Sequence, residues 1–230
     1  MKTIVVANRK GGVGKSTVAY NLGAAYALAG SRVCFLDLDS QANLTHLCNV
    51  QPTTLEGFKR CEPLAVSPVL SILPATKAFA QLEDEINRLI DRNSYIRLEV
   101  VSRLSGFDYL IVDTSPSLSI LNINAFCCAD MVHVVVNADS FSLLGLVEMR
   151  TILEQVKAIN PKLDHRIVLN AAHKNRNITA AALDALRREP GFAGVEIPNR
   201  QHVIDSNARR RPALDLDDIR EPFRALAAVI

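Results

Sequence analysis

Lys10, Lys15, Ser16 and Thr17 fall within one glycine-rich run, Lys10-Gly11-Gly12-Val13-Gly14-Lys15-Ser16-Thr17, and side chains of these types at this spacing could hold a phosphate chain. The chemistry is that of an anion site. Gly11, Gly12 and Gly14 let the backbone curl, so that the N–H groups of the run, Val13 included, face phosphate oxygens. A helix opening at the end of the run adds the positive end of its dipole. Lys15 would reach the β and γ phosphates as a point charge. The Ser16 hydroxyl would ligate Mg2+, and Thr17 is placed to reach the α-phosphate. The general pattern G-x-x-x-x-G-K-[ST] would put glycine at position 9, where this chain has Arg9, followed by a second lysine, Lys10. On spacing alone Lys10 is either a functional cation or a solvated loop lysine.

Carboxylates supply the other half of such a site. Asp37 and Asp39 close the apolar run Arg32-Val33-Cys34-Phe35-Leu36. At i and i+2 of an extended strand end they point into one crevice, where they can hold Mg2+ waters and orient an attacking water. Asp113 closes a second apolar run, Tyr109 to Val112, and would hold the Mg2+ shell. No glutamate follows Asp113, which leaves Asp39 as the catalytic candidate. Phosphoryl transfer depends on positioning and charge, so a weakly activated water implies slow hydrolysis.

The elements that must position these residues alternate along the chain. Ile4 to Ala7 reads as a strand buried on both faces, Thr17 to Ala29 as a helix capped by Gly30, and Arg32 to Leu36 as a second strand: a βαβ unit. Further strands are expected at Leu70–Leu73, Tyr109–Val112, Met131–Val136, Arg166–Asn170 and Val195–Ile197. Helices are expected at Lys77–Arg92, Tyr95–Leu104, Leu143–Ile159, Thr179–Arg188 and Leu216–Val229. The fold class is α/β: a doubly wound, mostly parallel sheet flanked by helices, forming a single domain over 1–230.

Composition sets the outer limits. At 49% hydrophobic and 22% charged the chain is not of disordered type. A net charge of +2 is too near neutral to require a nucleic-acid partner, so one would have to be held by a local patch. The apolar runs are strand-length, well short of the roughly 20 residues of a membrane span, and the N-terminus lacks a signal peptide's cleavage site. Cys34, Cys48, Cys61, Cys127 and Cys128 show neither CxxC spacing nor paired histidines, as suits a reducing cytosol. Cys34, Cys127 and Cys128 are expected to be buried small hydrophobes. An iron–sulfur cluster bridged by the adjacent pair is the lesser alternative.

The run from Lys10 to Thr17 resembles the deviant Walker A box K-G-G-x-G-K-[ST] of the ParA/MinD ATPases, P-loop NTPases closest here to ParA partition ATPases. Asp37-Leu38-Asp39-Ser40-Gln41-Ala42-Asn43 resembles that family's D-x-D-P-Q-G-N switch segment, and Asp113-Thr114-Ser115-Pro116-Ser117-Leu118 its D-T-P-P-S-L segment. Asn124-Ala125 through Ala129-Asp130 resembles its N-A-L-x-A-A-D helix, and Asp139 to Leu146 the loop that follows. Ile197-Pro198, Asp205 and Arg211-Pro212 resemble its I-P…E…G-K-P tail, so the likeness runs nearly the whole length. The resemblance implies ATP and Mg2+ as cofactors, Lys10 as a signature lysine crossing an ATP-sandwich homodimer to the partner's nucleotide, Asp39 positioning the hydrolytic water, and Asp37 supporting the metal through water. It puts Asn170 at the adenine and Pro198 among the nucleotide-binding residues. Ser40, Ala42, Ser115 and Asn137 depart from the family pattern beside the nucleotide or on the switch backbones.

The same resemblance implies non-specific binding to nucleoid DNA in the cytoplasm, with hydrolysis stimulated by a ParB-like or cargo-adaptor partner. Arg200, Arg209, Arg210 and Arg211 are the leading DNA-binding candidates, with Lys174, Arg176, Arg187 and Arg188 nearby. The alternative is a MinD-like membrane-associated regulator, which needs a terminal amphipathic helix. The tail from Arg220 to Ile230, with its proline and alanines, fits a packed helix better. The first strand begins almost at Met1, which argues against a preceding helix-turn-helix and operator-specific repression.

Overall fold

The computed structural model describes residues 1–137, 140–172 and 184–229, and for 140–144 and 171–172 the backbone alone. Eight strands form one sheet: β1 (Lys2–Ala7), β2 (Val33–Leu38), β3 (Leu64–Ser67), β4 (Leu70–Leu73), β5 (Tyr109–Thr114), β6 (Met131–Asn137), β7 (Asp164–Ala172) and β8 (Phe192–Pro198). Their order is β3-β4-β2-β5-β1-β6-β7-β8. Every neighbouring pair is parallel except β3 with β4.

The central strands are apolar throughout because helices cover both faces. Val5, Ala7, Cys34, Leu36, Leu110 and Val112 point to one side, against Phe79, Leu82 and Ile86 of α4 (Phe79–Asn87) and Leu121 and Ala125 of α6 (Ile120–Cys128). Ile4, Val6, Val33, Phe35 and Ile111 point to the other, against α1 (Lys15–Leu28) and the last helix, α9 (Asp217–Ala228). Helix α1 lies between the sheet and α9, so it is buried nearly all round and small residues are required along it. At Gly23 a Cβ would stand 2.2 Å from the Phe35 ring. The helix ends on Gly30 at φ +91°, with Ser31 N–H donating to the Tyr26 carbonyl at 3.1 Å.

Several elements differ from the sequence reading. The helix expected to run to Arg92 stops at Asn87. The one expected over Tyr95–Leu104 is α5 (Tyr95–Glu99), and Val100, at φ −119° and ψ −65°, turns the chain into a 3-10 turn at Val101–Arg103. Two short helices, α2 (Asn43–Leu47) and α3 (Leu55–Arg60), and the antiparallel edge strand β3 were not foreseen. Strand β3 is exposed for most of its length and exists through pairing with β4 rather than through its own pattern. The remaining helices are α7 (Ser140–Val156) and α8 (Gln201–Ala208). Residues 184–187 are helical, while the first half of the helix expected at Thr179–Arg188 lies outside the described residues, as do Lys174, Arg176 and Asp139. The cysteines are free: Cys34, Cys48, Cys61 and Cys127 are buried, Cys128 partly so.

Candidate active site

Three loops meet at the C-terminal ends of β1, β2 and β5, which are adjacent in the sheet. The β1–α1 loop is held from below by Asn8, whose Nδ2 donates to the Val135 carbonyl at 2.5 Å and whose Oδ1 accepts the Lys10 N–H at 2.9 Å. Gly12 and Gly14 lie at φ +77° and +92°, the left-handed region where a Cβ is unfavourable. Gly14 is the N-cap of α1, so the first N–H groups of the helix open onto the loop. Lys15 is buried and its Nζ donates to the Lys10 carbonyl at 3.3 Å. Burial lowers its pKa, against the opposing pull of Asp113 and Asp39.

Asp37 and Asp113 are register partners on β2 and β5, so two carboxylates stand side by side facing α1. They are not equivalent. Asp37 is committed: Oδ2 accepts the Thr45 N–H at 2.8 Å and the Thr45 hydroxyl at 2.7 Å, and Oδ1 accepts the Asp39 N–H at 3.1 Å. Burial pushes its pKa up to about 6 despite these bonds. Asp113 is fully buried, and neither oxygen has a partner in good hydrogen-bonding geometry, although the Ser16 hydroxyl lies close enough to favour its charged form. Burial raises its pKa well above the ordinary carboxylate value, Asp37 adds to the rise, and Ser16 and Lys15 oppose it. A buried, unpartnered carboxylate is costly to a fold unless a cation completes it. Asp39, at the mouth, accepts the Gln41 N–H at 2.9 Å.

Above the two buried carboxylates lies a cleft of about 480 Å3, lined by Gly12, Gly14, Lys15, Ser16 and Thr17 together with Asp39, Gln41 and His46. Sequence reasoning missed Asn207 on its wall and Thr45 behind it, and Arg210, expected among the DNA-binding arginines, also lines the cleft. Asn207 Nδ2 donates to the Thr17 hydroxyl at 2.9 Å across 190 positions, a contact with no local signal.

The other candidates fall at varied distances from this cleft. Asn170 Nδ2 donates to the Val13 carbonyl at 2.7 Å, and a Cβ on Gly14 would meet that nitrogen at 2.2 Å. Asn170 thus braces the phosphate loop from behind. Pro198 ends β8. Arg200 donates twice to Asp218, at 2.8 and 2.5 Å. Arg209 and Arg211 are exposed just past α8, while Arg210 lines the cleft.

A family model described as an AAA domain (AAA_31) matches residues 1–165. The chain is 32% identical over 191 residues to the chromosome partitioning protein ParA of Caulobacter vibrioides, covering 77% of this chain and 72% of that one. It is 35% identical over 194 residues to the chromosome-partitioning ATPase Soj of Thermus thermophilus, covering 82% and 76%. A putative plasmid partition protein from Borrelia burgdorferi, solved bound to AMPPNP, superposes with a TM-score of 0.85 at 22% identity over 99% of this chain and 97% of that one, a likeness of fold. The chain belongs to the ParA/Soj family of P-loop ATPases. No helix among the described residues is long and apolar enough to cross a membrane.

Proposed function

We propose that this protein binds ATP with Mg2+ in the cleft, closes into a homodimer when ATP is bound, and in that state holds DNA without sequence preference. Slow hydrolysis, stimulated by a ParB-like or cargo-adaptor partner, then releases the DNA, and the cycle partitions or positions a plasmid, a chromosome or a protein assembly in the cytoplasm, at the nucleoid.

The observation that carries this reading is Asp113, buried beside Lys15 and Ser16 with both oxygens unpartnered. No group of three His, Cys, Asp or Glu side chains among the described residues is arranged to hold a metal by itself. That suits Mg2+, which keeps waters and takes phosphate oxygens rather than an all-protein cage. Ser16 would ligate it and Asp113 would hold its water shell. Asp37, tied to Thr45, would act through the switch backbone more than through the metal. When bound, Mg2+ would neutralise charge between the β and γ phosphates. The buried Lys15 would hold the same oxygens, with little water to screen it. Asp39, at the mouth, would orient the attacking water. Lys10 would cross to the partner's nucleotide, which makes dimerisation depend on the triphosphate.

For DNA, Arg209 and Arg211 are exposed neighbours whose contacts would be phosphate contacts and therefore salt-sensitive. The membrane alternative has no support in the last helix. Ile219, Phe223 and Leu226 of α9 are spent against the core, leaving no apolar face for lipid.

The test is DNA binding with ATP, ADP and no nucleotide, for the wild type and for Arg209→Ala/Arg211→Ala. The expected result is tight binding with ATP only, with a shallower salt dependence in the variant. Equal binding in all three nucleotide states would overturn the switch.

A further inference from the structure

The strap from Asn207 to Ala213 crosses α1 and is fastened to it at three points. Asn207 Nδ2 donates to the Thr17 hydroxyl at 2.9 Å, Tyr20 Oη donates to the Arg210 carbonyl at 3.2 Å, and Ala213 N–H donates to the buried Asn21 Oδ1 at 2.7 Å. Two features of the strap bear on the cleft. Arg210 stands at φ +54° as the left-handed residue of the cap that ends α8, its N–H donating to the Asn207 carbonyl at 3.0 Å and the Arg211 N–H to the Ser206 carbonyl at 2.9 Å, a position that glycine usually fills. Its guanidinium stands on the cleft wall and makes one hydrogen bond among the described residues, to Asn49 Oδ1 beyond the end of α2; Asn49 is itself at φ +58°. By contrast, Arg200, Arg220 and Arg224 each face a carboxylate: Asp218, Asp217 and Glu221. The one cation of the strap that borders the phosphate loop is the one that pairs with a neutral amide instead.

We propose that Arg210 is a phosphate ligand contributed by the chain's own strap, and that Asn207 is its positioning companion; this rests on reading the cleft as a nucleotide site. The Thr17 hydroxyl accepts from Asn207, so its single proton is left to donate into the cleft, toward the phosphate nearest the start of α1. Arg210 exchanges the Asn49 amide for an oxygen of that phosphate chain, a stronger, charge-assisted bond. That exchange frees the end of α2, the helix that follows Asp39. The strap that carries Arg209 and Arg211 therefore registers whether the cleft is filled.

The test is titration of fluorescent ATP and ADP analogues into the full chain, comparing the wild type with Arg210→Gly and Arg210→Lys, alongside nucleotide-free melting. Arg210→Gly removes the cation and relieves the left-handed backbone. Both nucleotides should bind it roughly tenfold more weakly, while its nucleotide-free melting temperature is unchanged or higher. Arg210→Lys should recover part of the loss. Wild-type affinity in Arg210→Gly would overturn this inference alone, as would a loss of affinity that tracks a lower melting temperature. A wild type that binds neither nucleotide would overturn the ATPase reading, and this inference with it.

Discussion

At the scale of the residue, the site turns on two adjacent aspartates with opposite surroundings. Asp37 spends its oxygens on Thr45 and the Asp39 amide, whereas Asp113 has none of these partners and lies equally deep. Its ionised form is therefore a cost in the nucleotide-free protein. The sign follows from the shift. The folded-state pKa of Asp113 is raised above 3.8, so the folded state holds its proton more tightly. Its contribution to stability is fully present below about pH 3.8 and is lost as pH rises. Asp113→Asn should accordingly be more stable than the wild type by about 1–3 kcal/mol near pH 8 without nucleotide, the gap closing toward pH 4. Chemical denaturation across pH measures it. The same variant should lose most of the thermal stabilisation that Mg2+ with ATP gives the wild type. A variant less stable at pH 8, yet still stabilised by Mg2+ with ATP, would remove Asp113 from the metal site.

At the scale of the element, the phosphate loop was legible because everything it needs is consecutive. The glycines, the lysine and the hydroxyls are neighbours in sequence, and an apolar strand and an alanine-rich helix bracket them. Asp37, Asp39 and Asp113 were legible as strand-end carboxylates, but the bonds that tie Asp37 down were not. They come from Thr45 on α2, a helix too short to leave a periodic signature. Asn207 meets Thr17, Ala213 meets Asn21 and Arg210 meets Tyr20 through contacts about 190 positions apart, which no local pattern encodes. Asn170 makes another such contact, across 157 positions. It stands near the end of β7, and its amide donates to the loop carbonyl of Val13; the adenine contact that its likeness implies stays a proposal. As a brace it should act on the loop rather than on the base. Asn170→Ala should weaken ATP and GTP binding alike, with a stability loss of about 1 kcal/mol from the unmade bond. Competition between the two nucleotides reads the difference. Unchanged ATP affinity with lost preference over GTP would return Asn170 to base recognition.

At the scale of the whole molecule, the sheet order brings β1, β2 and β5 together, so that one cleft collects the loops of all three. The core is divided between the two faces, and the last helix is part of it, with Ile219, Phe223 and Leu226 fully buried. The cleft wall includes Pro116 and the strap residues Asn207 and Arg210, and Lys10 lies half-buried at the start of the phosphate loop. The proposed crossing of Lys10 to a second copy of the chain would make closure depend on the nucleotide. The most direct measurement is molar mass by light scattering at saturating non-hydrolysable ATP analogue and Mg2+, for the wild type and Lys10→Ala. The expected result is a dimer for the wild type with the analogue, a monomer with ADP, and a monomer for Lys10→Ala in both. A wild type that stays monomeric with the analogue, or a Lys10→Ala protein that dimerises normally, would contradict the nucleotide-closed dimer.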